Sequence, residues 1–349
     1  MQKVLLSKGN LYVGGSSKIS IANVNGLTTE NDVFTIFNYI AMWDGSTWSP
    51  LGTGLGATVN AIAIDLNDNV YVGGNFTTLG DNSTVANRVA KWNGSTWSSL
   101  ASGLGARVNA LAVDSNDNLF AGGDFTTLGN GTSANHVAKW NGSTWSPLGS
   151  GLGAQVNAIA IDLSDNVYVG GTFTFLGNGT TVANRVAKWT PSGNWFVLGT
   201  SAANGVSDGT TTAVNALAID SSDNVYMSGN FTRLNGTTTV ANYVAKWTPS
   251  TNTLSTVGGK IIFSTNILLN GIPSISFTIA INKKNDTIYA GSSTTVYQLF
   301  SDYVNLQYNG ILLRQLYQDG QIISVYTNNK NGKKMCSVLV PNPIYQNYF

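Results

Sequence analysis

From Val59 the chain reads VNAIAIDLNDNVYVGG, with apolar positions alternating against small or polar ones before a turn and a second apolar run. Alternation at period two marks a half-buried strand. The first predicted strand covers residues 59–65, where Ala61 and Ala63 alternate with Ile62 and Ile64. The turn Leu66-Asn67-Asp68-Asn69 leads into Val70-Tyr71-Val72-Gly73-Gly74. A loop over residues 77–86 follows, and then Arg88-Val89-Ala90-Lys91-Trp92 turns through Asn93-Gly94-Ser95 into Thr96-Trp97. Runs rich in Val, Ile, Tyr and Trp, broken by Asn-Asp and Asn-Gly, are strand and hairpin signals. No segment sustains a helical period of apolar residues.

The whole pattern recurs. Equivalent units begin at Val59, Val108, Val156 and Val214, in steps of 49, 48 and 58 residues, and the third strand of each unit ends at Trp43, Trp92, Trp140, Trp189 or Trp247. The unit from Val214 to Trp247 keeps its internal length, so the extra residues of the long step fall between units, near 201–212. Four strands in a period of roughly 40–50 residues predict a propeller blade. A lone four-stranded sheet of this size cannot hide both faces; stacked blades can. The expected fold is therefore all-β: a single β-propeller of four-stranded antiparallel blades. Small residues such as Ala61 and Ala63 suit its crowded inner strand, and the five tryptophans are expected to be buried as wedges between blades.

Leu11-Tyr12-Val13-Gly14-Gly15 matches the second strand, so a first unit with an enlarged loop at 16–37 precedes the clear ones. A divergent copy is visible as Phe277-Thr278-Ile279-Ala280-Ile281 followed by Thr287-Ile288-Tyr289-Ala290-Gly291. Residues 311–317 and 321–326 read as a further hairpin, with 334–340 as a third strand. The units are 1–57, 58–106, 107–154, 155–212, 213–273, 274–309 and 310–349, giving seven blades within one domain of residues 1–349, with six as the alternative.

Composition narrows the chemistry. Charged residues are only 10% of the chain and the net charge is +1, which gives no electrostatic case for nucleic acid or an anionic membrane surface. No apolar run is long enough to span a bilayer, and the opening residues are too soon interrupted for a signal peptide. Cys336 is the one cysteine, so no intrachain disulfide is expected. His136 is the one histidine and Glu30 the one glutamate, a poor set for acid–base catalysis.

The pattern NVYVGGNFT…VANRVAKWNGSTWSPLG resembles the kelch-like, galactose-oxidase-type propeller repeats of secreted bacterial proteins and the repetitive propeller proteins of giant viruses of amoebae. The double glycines (Gly73-Gly74, Gly122-Gly123, Gly170-Gly171) and the spaced tryptophan pair carry this likeness over residues 4–247. The Asn- and Lys-spotted stretch Asn282-Lys283-Lys284-Asn285-Asp286 leans toward the viral group, whose resemblance implies a structural protein of the virion or a place in the host cytoplasm. The oxidase relatives' copper site needs two histidines and a Tyr–Cys cross-link. One histidine cannot supply it, and Cys336 lies outside the matched repeats.

Four other features invite chemistry. Asp65, Asn67 and Asn69 place oxygens at alternate positions, like the start of a calcium loop, but the central glycine and distant glutamate are missing. Tight-turn chemistry is the better reading, and no metal or cofactor is expected. Asn-x-Ser/Thr occurs at Asn75, Asn82, Asn93, Asn130, Asn141, Asn178, Asn230, Asn235 and Asn285; here too turns are favoured over glycosylation. Lys91, Lys139, Lys188 and Lys246, with Arg88 and Arg185, read as solvated strand positions, with a cation–π contact to a ring. His136, in the slot of Arg88 and Arg185, reads as surface drift. The function expected is a non-enzymatic binding or structural module whose partner is a protein, with a glycan as the alternative and a hydrolase or oxidase behind both. Its binding face is expected at the long, variable loops 16–37, 77–86, 201–212 and 251–275, since variation over a uniform scaffold marks such surfaces.

Overall fold

The computed structural model describes residues 3–7, 9–16, 19–22, 34–200, 203–207, 212–234, 238–241 and 243–257, and seven strands beyond them. The chain falls into two compact units, Met1–Val197 and Leu198–Phe349. Among the described residues no helix is long and apolar enough to cross a membrane. In the first unit, four sheets each hold four antiparallel strands in sequence order. Blade 1 is Lys3–Ser7, Asn10–Gly14, Ile40–Trp43 and Trp48–Pro50; blade 2 is Val59–Ile64, Val70–Gly74, Val89–Trp92 and Trp97–Ser99. Blade 3 is Val108–Val113, Leu119–Gly123, Val137–Trp140 and Trp145–Pro147; blade 4 is Val156–Ile161, Val167–Gly171, Val186–Trp189 and Trp195–Val197.

In the second unit, blade 5 is Val214–Ile219, Val225–Gly229, Val244–Thr248 and Thr253–Thr256. It packs against a three-stranded sheet of Thr278–Asn282, Thr287–Gly291 and Val296–Leu299, sharing a core of Tyr226, Val244, Val257, Ile279 and Ile288. These repeated four-stranded antiparallel sheets are the blades of a β-propeller. Near the C-terminus, Ile323–Asn329 pairs with Gly332–Val338, while the strand expected at 311–317 lies outside the described residues.

Local chemistry makes each hairpin. Asp65 Oδ1 accepts from the backbone N–H of Asn67 at 3.0 Å and of Asn69 at 2.8 Å, and Asn69 Nδ2 donates to Oδ2 at 2.7 Å. Asp68 sits in left-handed conformation at φ 62°, which aspartate tolerates better than most residues. Asp114, Asp162 and Asp220 close the same turn in blades 3, 4 and 5. The second hairpin closes on Asp44, Asn93 or Asn141, whose side-chain oxygens accept from the two backbone amides that follow the glycine.

Packing then joins blades. The second strand is buried along its length, with Val70, Tyr71 and Val72 at 0–3% exposure. Val70 and Val72 pack with Tyr12 and Ile40 of blade 1 and with Leu51 and Leu55 of the linker. Tyr71 belongs to a second cluster, with Leu104, Val108 and Leu111 on the blade 3 side. The double glycine sets the spacing: a Cβ on Gly73 would stand 2.5 Å from Val108 Cγ1, too close for any real contact. Gly74 lies against the Thr58 carbonyl, where the first strand bulges between Val59 and Ala61.

Hydrogen bonds tie the junctions at three radii. At the inner strand, Asn60 Nδ2 donates to Val108 O at 3.0 Å and Asn109 Nδ2 to Val156 O at 3.1 Å. At the first turn, Asp117 of blade 3 accepts from Leu66 N at 3.0 Å and Asn67 Nδ2 at 2.9 Å of blade 2. Asp165 of blade 4 accepts in the same way from Ser115 N at 2.9 Å and Ser115 Oγ at 2.6 Å, and these bonds hold its carboxyl below the usual range. At the outer edge the indole N–H groups of Trp97, Trp145 and Trp195 reach the linker carbonyls of Leu51, Leu100 and Leu148.

The tryptophans are wedges of unequal depth. Trp140 and Trp247 are buried at 7% and 6%, whereas Trp43, Trp92 and Trp189 are half-buried. Each of the first four packs on the next tryptophan of its hairpin, ring centroids 5.1–5.6 Å apart and tilted. Gly52 and Gly149 approach Trp92 and Trp189; Ala101 holds the equivalent place in the repeat of Trp140. Replacing Trp140 by Ala is expected to cost about 3–5 kcal/mol, the range for emptying an aromatic core site. Thermal melts of Trp140→Ala beside Trp43→Ala check this, with the larger drop expected for Trp140→Ala.

Candidate binding face

In the first unit, two kinds of connection meet at one end of the blades. The linkers 51–58, 100–107 and 148–155 are stitched to the loops 75–88, 124–136 and 172–185. Leu55 bridges Leu79, Leu104 bridges Leu128 and Leu152 bridges Leu176. Gly56 N donates to Thr78 O at 3.0 Å and Gly80 N to Gly54 O at 2.8 Å. Asn87 ties its loop to the following linker as well, and twice: its Nδ2 donates to Ser102 O at 3.0 Å and its carbonyl accepts from Leu104 N at 3.1 Å. Asn38 and Asn135 repeat both bonds. The second-to-third-strand loop and the inter-blade linker thus share one face. Parts of the expected loop segments, residues 17–18, 23–33, 201–202, 208–211, 258–260, 264–265 and 269–275, lie outside the described residues.

Internal comparison of the blades separates scaffold from variable chemistry. The turn aspartates, the inner-strand asparagine, the double glycine and the first tryptophan recur in blades 2, 3 and 4. At the loop end the same slots change character: Thr58, Arg107 and Gln155; Asn75, Asp124 and Thr172; Thr78, Thr127 and Phe175. Arg107 pairs with Asp124 at 2.7 Å, an ion pair that its counterparts cannot form. Phe175 bridges Val182, and both stay exposed, at 41% and 43%. Asp81 accepts from Ser83 N, Thr84 N and Thr84 Oγ1; the Thr84 bonds above all pull its carboxyl down to about 2.

One backbone feature at this end was not legible as a site. The residue before the third strand is left-handed in each of the five four-stranded blades: Tyr39 at φ 63°, Arg88 at 69°, His136 at 67° and Arg185 at 71°, with Tyr243 at 72° in the second unit. The cause is a pair of backbone bonds. Arg88 N donates to Phe76 O at 2.8 Å while its carbonyl accepts from Gly74 N at 2.9 Å; His136 and Arg185 repeat this with their own Phe and Gly. The side chains bend back to nearby carbonyls, Arg88 to Asn75 O and Arg185 to Thr172 O, while His136 Nδ1 lies 3.2 Å from Gly123 O. His136 is thus half-buried and bonded rather than a drifting surface residue. The recurrence of a long polar side chain after Asn, just before each third strand, was the available sequence signal.

The turn end holds the Asp65, Asn67 and Asn69 set. The oxygens of Asp65 serve Asn67, Asn69 and, at 3.3 Å, Tyr71 Oη. Burial first, and then the charge of Asp65, raises the Tyr71 phenol. No group of three or more His, Cys, Asp or Glu among the described residues could hold a metal ion. The lysines lie 5.4–5.5 Å over the second-strand rings Tyr71, Phe120, Tyr168 and Tyr226. Asn93, Asn130, Asn141 and Asn178 are engaged in turn bonds, while Asn235, Asn285 and Glu30 lie outside the described residues.

No protein-family profile matches the chain, and no curated protein does. Solved structures match by fold. The extracellular domain of the putative hybrid two component system BT4673 from B. thetaiotaomicron is similar at 13% identity and TM-score 0.52, over 87% of this chain and 32% of that one. A second structure of the BT4673 extracellular domain, described as a putative one component system, gives 12% identity and TM-score 0.52, over 93% and 39%. PorZ, a surface component of the type-IX secretion system of Porphyromonas gingivalis, gives 15% identity and TM-score 0.49, over 85% and 39%. The chain therefore spans a third to two fifths of the length of these proteins.

Burial lowers the imidazole of His136, against the opposing pulls of the Gly123 carbonyl and Asp124. The folded state thus favours the neutral ring, and the unfolded chain takes up the proton first as pH falls below about 6.5. Stability from this group is complete above that value and declines below it. Denaturant titrations between about pH 7 and 5 are expected to show a shallower decline in His136→Asn than in the unaltered protein.

Proposed function

We propose that the protein is a non-enzymatic binding scaffold that takes a protein partner at the loop end of its blades. One observation carries the reading: repeats that match at their packing positions differ in charge, size and polarity at Thr58, Arg107 and Gln155 and at the slots beside them. Packing alone gives no reason to vary those positions, whereas recognition of an asymmetric partner does. The tryptophans favour a protein over a glycan, because Trp97, Trp145 and Trp195 spend their indole N–H groups on inter-blade bonds. The aspartates of the turn end serve turn and junction amides, which supports a scaffold over a hydrolase. Resemblance of the repeat to propeller proteins of giant viruses supports a structural role in a virion.

Two variants test the reading, each built from residues that a neighbouring blade already carries. The loop-end variant is Arg107→Thr, Asp124→Asn and Phe175→Thr; the turn-end variant is Leu66→Ser and Leu163→Ser. Both are expected to melt within about 2 degrees of the parent, as surface changes do. Proteins retained by the immobilised parent are expected to stay with the turn-end variant and be lost from the loop-end variant. Loss from the turn-end variant alone would place the site on the opposite face.

A further inference from the structure

Five Asn-Gly pairs fall among the described residues: Asn93-Gly94, Asn130-Gly131, Asn141-Gly142, Asn178-Gly179 and Asn204-Gly205. Such a pair can react with itself, because glycine has no Cβ to keep the asparagine side chain from its amide nitrogen. The five differ in what holds that nitrogen. Gly131 N donates to Leu128 O, Gly179 N to Leu176 O and Gly205 N to Leu198 O, each at 3.0 Å. Gly94 N and Gly142 N meet no acceptor among the described residues, and nothing stands within 4 Å of a Cβ placed on either glycine. Exposure alone does not make this distinction, since Asn93, Asn130, Asn141 and Asn178 are all exposed. Asn204 is buried at 3%.

The side-chain carbonyl is prepared as well. Asn93 Oδ1 accepts from Ser95 N and Ser95 Oγ at 3.0 Å and from Thr96 N at 2.8 Å. Asn141 Oδ1 accepts from Ser143 N and Ser143 Oγ at 3.0 Å and from Thr144 N at 2.8 Å. Donors on a carbonyl oxygen stabilise the negative charge it gains when its carbon is attacked. Asn130 Oδ1 accepts only from Thr132 N, and Asn178 Oδ1 from Thr180 N and Thr181 N. The amide nitrogen, which must leave, is also tied at Asn178, where Nδ2 donates to Thr181 Oγ1 at 2.8 Å.

Blade 1 shows how the product would sit. It has Asp44-Gly45-Ser46-Thr47 where blades 2 and 3 have Asn-Gly-Ser-Thr. Asp44 Oδ1 accepts from Ser46 N and Ser46 Oγ at 2.8 Å and from Thr47 N at 2.7 Å, and Oδ2 takes Thr47 Oγ1 at 3.0 Å. A carboxylate thus fits the same turn with shorter bonds, as ionised acceptors do. We infer that Asn93-Gly94 and Asn141-Gly142 are self-modifying sites, at which water converts the side-chain amide to aspartate without an enzyme. Gly94 N gives up its proton and bonds to Asn93 Cγ; the Cγ–Nδ2 bond breaks, and ammonia leaves with that proton. Water then opens the cyclic imide at Cγ, giving aspartate in an unaltered main chain. Opening at the backbone carbonyl of Asn93 gives isoaspartate, whose extra main-chain carbon disturbs the pairing of Trp92 with Trp97. Each conversion adds one negative charge, so the two together reverse the formal net charge of +1. Both sites lie in second hairpin turns, away from the loop end, so the inference stands apart from the loop-end reading.

The test is incubation of the intact folded protein at neutral and mildly alkaline pH, beside a sample unfolded in denaturant. Peptide mapping by mass spectrometry follows the amide-to-acid change at each Asn-Gly pair. With each rate divided by its own unfolded rate, Asn93 and Asn141 are expected to convert about tenfold faster than Asn130 and Asn178, the factor for one hydrogen bond that must break first. Conversion is expected to quicken as pH rises, because the attacking nitrogen must shed its proton. The variant Asn93→Asp, Asn141→Asp is expected to melt at the parent's temperature or above it, with both turns bonded as Asp44 is. Conversion of Asn130 or Asn178 as fast as that of Asn93 and Asn141 would overturn the inference. So would intact Asn93 and Asn141 in the folded protein once the unfolded sample has converted. A variant that melts several degrees lower would also overturn it, since aspartate would then not fit the turn.

Discussion

Val72 faces one neighbouring blade and Tyr71 the other, and neither face of that strand meets water. This two-sided burial is the constraint on which the rest depends. A sheet apolar on both faces has no stable existence alone, so each blade is completed by the next. The demand reaches down to single atoms. Gly73 lacks a Cβ because Val108 of the following blade occupies that space, and Gly14 and Gly122 meet Val59 and Val156 in the same way. The hydrogen bonds of Asn60, Asp117 and Trp97 then fix the angle at which blades meet, at the inner strand, the turn and the rim.

Much of this was legible because its causes are local. Asn67 to Asn69 close on Asp65 within one turn, and Asn93 closes its hairpin within three residues, so sequence alone placed the strands on either side. Repetition supplied the blade. Trp140 and Trp247 met the expectation of buried wedges, but Trp43, Trp92 and Trp189 are only half-buried, a difference of exposure that a repeated letter does not encode. The junction bonds were hidden for another reason. Asp117 looks like a turn residue and is one, but its carboxylate serves Leu66 and Asn67, about a repeat earlier in the chain. Pairings at that separation appear only once blades are stacked.

The loop end shows how a uniform scaffold acquires an individual surface. Linker and loop are locked by Asn38, Asn87 and Asn135, so substitutions beside them leave the framework in place. His136 illustrates the consequence: read singly it was an odd residue in a variable slot, but beside Tyr39, Arg88 and Arg185 it is one member of a strained series. The strain is kept at equivalent points while the side chain changes. The packing that closes each blade makes that strain tolerable.

The central claim is that a blade owes its structure to its neighbours. Circular dichroism of the isolated segment 58–106, which holds every strand of blade 2, tests it most directly. The account predicts a disordered spectrum without a cooperative melt, because Val70, Tyr71 and Val72 would lose the partners on both faces. A monomeric segment with a β-sheet spectrum and a cooperative thermal transition would contradict it.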